Sequence, residues 1–84
     1  MIAYIFVTCI PGEETDTIYK IKKLPNVVEV NGIMGRYDVF VKISAKKEED
    51  LHAVITSIRD VQPITSTATF AVIRGQGGSI DEEK

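Results

Sequence analysis

Few side chains in this sequence are of a type that does chemistry, and their spacing limits what that chemistry is. His52 is the one imidazole and Cys9 the one thiol. An intrachain disulfide is therefore impossible, and a zinc site built on cysteines cannot form from a single chain. No cysteine, serine or second histidine stands at a spacing from His52 that nucleophilic catalysis uses. The acids Glu13, Glu14, Asp16 and Glu48, Glu49, Asp50 fall where helices are expected to begin. The macrodipole favours negative charge there, so they read as helix-terminal charges rather than a catalytic pair. Gly75-Gln76-Gly77-Gly78 follows a strand pattern but opens no helix, unlike a phosphate-cradling loop. With no metal-ligand cluster either, no cofactor is expected. What remains is Gly35-Arg36-Tyr37-Asp38, a glycine and a carboxylate between two alternating apolar segments within Val27 to Ser44.

Those residues must be positioned by a single small domain. A chain of 84 residues buries only about 60 to 65% of its unfolded surface and sustains one core. Its 44% hydrophobic and 26% charged residues are those of a soluble globular protein, with no apolar run long enough for a membrane helix. No leader pattern opens it, so the default address is the cytoplasm. A formal charge of −2 offers no general attraction to a phosphate backbone. The lysines at 20, 22, 23 and at 46, 47 lie on or beside expected helices, as solvated faces.

Along the chain, Ile2 to Cys9 is nearly continuous apolar sequence, β-branched and aromatic, closed by Pro11-Gly12; it reads as a central strand covered on both sides. Glu13 to Leu24 is helical, with acids first, lysines last, Ile18, Ile21 and Leu24 as the buried stripe and Pro25 as the stop. The hairpin follows. Asn31-Gly32 is a strong two-residue turn signal, but reversal there leaves too short a first strand. The turn is therefore expected near Gly35, with strands of about eight residues each way and Asn31-Gly32 as a bulge or kink. A second helix runs to about Asp60 with Leu51, Val54, Ile55, Ile58 and Val61 at helical spacing, Ser44 being a candidate cap. After Pro63, Ile64 to Arg74 alternates as a fourth strand, with Thr65, Thr67 and Thr69 on one face and Ala68, Phe70 and Val72 on the other. The domain is expected to span 1–74, and the glycine-rich, acidic segment 75–84 to be a flexible tail.

Strand, helix, strand, strand, helix, strand is an α+β order that closes as a ferredoxin-like βαββαβ sandwich: a four-stranded antiparallel sheet with both helices on one face. The other face is then bare. Counting alternation places Ala3, Ile5, Val7, Val39, Val41, Ile43, Phe70 and Val72 under the helices. Tyr4, Phe6, Phe40 and Ile73 fall on the bare face among Thr8, Asp38, Lys42, Thr67 and Thr69. Large apolar groups in that number mark an interface, and a homodimer through the sheet faces is expected.

Lys23-Leu24-Pro25-Asn26-Val27-Val28-Glu29-Val30, the Gly35-x-Tyr37-Asp38 turn and the threonine-rich last strand together resemble the effector-binding (RAM) domain of the Lrp/AsnC, or feast/famine, transcriptional regulators. The resemblance covers about residues 2 to 74. It implies dimers joined through their sheets and assembled into larger rings, commonly octamers, with a small amino-acid effector bound between dimers beside the hairpin. Carried onto this chain, the implied ligand-binding residues are Gly35, Tyr37 and Asp38, with Thr67 and Thr69 as last-strand matches. An ammonium would need acceptors such as Asp38, and a carboxylate would need donors such as threonine hydroxyls and turn amides. The family's regulators carry a helix-turn-helix ahead of this domain. This sequence begins at the first strand, so the resemblance implies a stand-alone version that binds effectors or co-assembles with full-length regulators, without direct nucleic-acid or membrane contact. Two other classes stay open: a purely structural assembly module, and a small dimeric enzyme using His52.

Overall fold

In the computed structural model, which describes residues 1–80, β1 (Ile2–Cys9) is the central strand of a four-stranded antiparallel sheet. It pairs with β3 (Val39–Ser44) on one side and β4 (Ile64–Ala71) on the other, and β2 (Val27–Gly32) pairs with the outer side of β3. The order is β2-β3-β1-β4. Two crossovers carry the helices α1 (Glu14–Lys22) and α2 (Glu48–Arg59). Ala3, Ile5 and Val7 pair with Ile43, Val41 and Val39. These six side chains are fully buried with Ile21 of α1 and Leu51, Val54 and Ile58 of α2 in one core. Both helices therefore cover the same face, as the βαββαβ pattern requires. Burying each such valine, leucine or isoleucine contributes about 1.5–3 kcal/mol relative to leaving it exposed. Thr17 is the one buried polar residue in that layer among the described residues, and its hydroxyl donates to the Glu13 carbonyl at 2.8 Å.

The hairpin reverses near Gly35, as strand matching predicts. The Ile33 N–H donates to the Asp38 carbonyl at 3.0 Å, which leaves Met34, Gly35, Arg36 and Tyr37 as the loop. Gly35 has φ 143°, a region costly for any residue with a Cβ. The strands are six residues long, not eight. Asn31 and Gly32 are regular strand residues opposite Phe40 and Val39, and neither has the positive φ that a type I′ turn demands. The irregularity lies instead between Val27 and Glu29, where Val28 is turned out to solvent. Ser44 does not cap α2: it stays in β3, its N–H donating to the Asn26 carbonyl, and Lys47 takes the N-cap position without a side-chain bond.

One expectation about the faces is reversed. Thr67 lies opposite Val7 and Thr69 opposite Ile5, on the helix side, whereas Phe70 lies opposite Tyr4 and Ala68 opposite Phe6, on the bare side. The cause is a bulge. Thr8 pairs with Ser66 but Cys9 pairs with Ile64, so Thr65 is an extra residue and the alternation begun by Ile64 is inverted beyond it. Of the expected tail 75–84, residues 81–84 lie outside the described residues.

Candidate functional site

Tyr37 and Asp38 end the hairpin loop with different commitments. The Tyr37 ring packs on Phe6 at 5.4 Å between centroids, and Phe6 also meets Phe40 at 5.5 Å and Phe70 at 5.9 Å, while Tyr4 meets Phe40 at 5.6 Å. Five rings thus form one continuous cluster on the uncovered face, at separations where tilted aromatic pairs attract one another. Phe70 remains 57% exposed within it. The sequence reading placed Tyr4, Phe6 and Phe40 there. It missed Phe70, hidden by the bulge, and Tyr37, hidden because loop residues carry no alternation.

Asp38 is tied to the end of β1. Its N–H donates to the Val7 carbonyl at 2.8 Å, and its Oδ2 accepts the Cys9 N–H at 2.9 Å. Cys9 lies beyond Val7–Val39, the last β1–β3 pair, so the carboxylate satisfies a β1 amide left free where β3 ends, through a charge-assisted bond. At the tip, Met34 is fully exposed, and a Cβ added at Gly35 would meet nothing within 4 Å. Glycine is thus required there for its dihedral angles, and the loop edge is open to an incoming group.

Gly35, Tyr37 and Asp38 are brought together. Thr67 and Thr69 do not join them within one protomer, because they lie on the helix side of β4, the strand farthest across β1 from the hairpin. The Thr69 hydroxyl is shielded from solvent and has no hydrogen-bond partner. It stands in the wall of a groove of ≈ 870 Å³ beside α2. His52 projects from the outer side of α2, its Nε2 3.5 Å from Glu48 Oε2 with both side chains about 70% exposed, and Cys9 is buried.

A four-stranded antiparallel sheet in βαββαβ order, with two helices on one face and an aromatic layer on the other, defines a small ferredoxin-like α+β domain. Residues 2–75 match the model of the Lrp/AsnC ligand binding domain. The chain belongs to that family. Among solved structures it is similar to the hypothetical protein PHS023 from Pyrococcus horikoshii, with 31% identity, a TM-score of 0.79 and coverage of 89% of this chain and 94% of that one. FFRP-DM1 is similar at 32% identity and a TM-score of 0.80, covering 86% and 97%. Among curated proteins it is 36% identical over 73 residues to the homocitrate synthase of Sulfurisphaera tokodaii, spanning 86% of this chain but 16% of the synthase. It is 31% identical to the HTH-type transcriptional regulator FL11 of Pyrococcus horikoshii, over 88% of this chain and 49% of the regulator. The chain thus spans only a part of the curated relatives it matches, and what they share with it is this domain. No described helix is long and apolar enough to cross a membrane.

Proposed function

We propose that the protein is a stand-alone effector-binding and oligomerisation module of the Lrp/AsnC type, which binds a small amino acid and modulates transcriptional regulators by ligand-dependent assembly or co-assembly. The family match over all six elements carries this reading. The extent of PHS023 and FFRP-DM1, nearly the whole of which aligns with this chain, supports a module of this size acting alone. The binding group is the hairpin end: Gly35 and the turn amides face the ligand carboxylate, the free edge of the Asp38 carboxylate takes the ammonium, and Tyr37 forms the wall. Thr67 and Thr69, on the other side of the sheet, enter such a site only from a neighbouring copy. The cluster of five rings is the homodimer face, and hairpin contacts join dimers into a larger ring such as an octamer. The module has no catalytic step, touches no nucleic acid directly and works in the cytoplasm.

Calorimetric titration of the full chain with each of the twenty amino acids tests the reading. One or a few are expected to bind, and Asp38→Asn, which keeps an oxygen for the Cys9 N–H but removes the charge, is expected to abolish binding without changing the oligomer. A second reading, a purely structural assembly module, is favoured by the two bonds that already tie Asp38 to β1. It predicts no titration heat with any amino acid and loss of the assembly in Asp38→Ala.

A further inference from the structure

The groove beside α2 is a second concavity, distinct from the hairpin, with a composition of its own. Ile2, Leu51, Ile55, Ala71 and Val72 supply an apolar lining. Lys46, Arg59 and Arg74 stand around it, and none of the three pairs with a carboxylate among the described residues. The one carboxylate in the lining, Glu48, faces His52. Thr69 adds a hydroxyl that is out of solvent and unpartnered, which is unusual because shielded polar groups are nearly always satisfied. Its volume of ≈ 870 Å³ falls in the range of small-molecule sites, which pair a mostly apolar lining with a few polar groups.

We propose that the α2–β4 groove binds a small branched-chain monocarboxylate without an ammonium group, such as a 2-oxo acid. The apolar tail lies against Leu51, Ile55 and Val72. The carboxylate meets Arg59 and Arg74, whose guanidinium forks match it in geometry and charge, and the Thr69 hydroxyl, with no partner to give up, turns into the groove to donate to an oxygen of the ligand. Lys46, Arg59 and Arg74 outnumber the single carboxylate of this lining, Glu48, which faces His52, so an added ammonium meets net repulsion and the corresponding amino acid binds more weakly.

The probe is 4-methyl-2-oxopentanoate, titrated into the full chain and followed by backbone amide shifts. Leucine and the neutral 4-methylpentanamide are the comparators. Shifts are expected at Leu51, Ile55, Thr69 and Val72. Affinity should fall at least about 10-fold when Arg59→Gln and Arg74→Gln are combined, and about 2- to 10-fold in the near-isosteric Thr69→Val, as for loss of one hydrogen bond. Asp38→Asn should leave it unchanged, which separates this groove from the hairpin. Absence of shifts in the α2–β4 lining at millimolar probe overturns the proposal. So does binding of leucine or the amide within about 2-fold of the oxo acid, or loss of oxo-acid binding in Asp38→Asn.

Discussion

The two faces of the sheet are built from different side chains, and the difference separates what folds the chain from what the chain does with its surface. Under the helices the strands present Ala3, Ile5, Val7, Val39, Val41 and Ile43, all at 0–1% exposure. These are small and β-branched groups with few rotamers, suited to close packing against Ile21 and Ile58. On the open face β1, β3 and β4 present Tyr4, Phe6, Phe40 and Phe70, which touch one another, the first three half-buried and Phe70 exposed. Aliphatic packing is complete within one protomer, whereas the aromatic layer has one side satisfied and one side open. That open side is the basis for the homodimer face proposed above.

The sharpest way to break this contrast is to injure each face separately. Ile58→Ala, at the centre of the covered layer, should lower stability by about 2–5 kcal/mol through lost burial and the cavity left behind, read as a drop in the urea midpoint. Phe70→Glu on the open face should hardly change that midpoint when measured at concentrations where the protein is monomeric. In analytical ultracentrifugation it should convert the dimer to monomer. Equal loss of stability in both variants would erase the distinction between the faces. Gly35→Ala sits outside both layers, and its φ of 143° predicts a cost of about 1–3 kcal/mol from backbone strain alone, with the sheet-face dimer retained. The smallest effect belongs to the N-cap of α2: Lys47 has extended dihedrals and no capping bond. Lys47→Ser should therefore raise stability by about 0.5–1 kcal/mol, visible as a higher melting temperature with association unchanged.

The sequence made the covered face legible because alternation and helical spacing report burial directly: Ile5, Val41 and Ile58 are where periodicity puts them. The choice of Gly35 over Asn31-Gly32 for the reversal was also legible, since paired strands must match in length. Three things were not. The Val28 irregularity replaced the one expected at Asn31-Gly32 because the pairing of Val30 with Val41 keeps both valines on the helix side, which strand length alone does not specify. Ser44 reads as a cap by residue type, yet β3 holds its backbone in the ladder and α2 starts four residues later. The faces of β4 were inverted because an extra residue at Thr65 leaves no mark in composition. At the candidate site, the hairpin residues were identifiable as a group. The bond from the Cys9 N–H to Asp38 and the α2–β4 groove depend on tertiary placement that no local pattern encodes.

The bulge at Thr65 has a further meaning as a parity element. Residues before it are counted in one phase and residues after it in the other, so a single looped-out position decides which side chains each surface of β4 receives. A chain shortened by that one residue and otherwise identical would set Ile64 beside Ser66 in a regular ladder opposite Cys9 and Thr8, leaving Phe70 on the open face and Thr67 and Thr69 on the helix side. The unshortened strand paired without the bulge would instead exchange its two surfaces, and the aromatic cluster would lose a ring and the groove its hydroxyl. The bulge is therefore a slack position: removing Thr65 straightens the strand, whereas keeping Thr65 and losing the bulge trades one surface for the other.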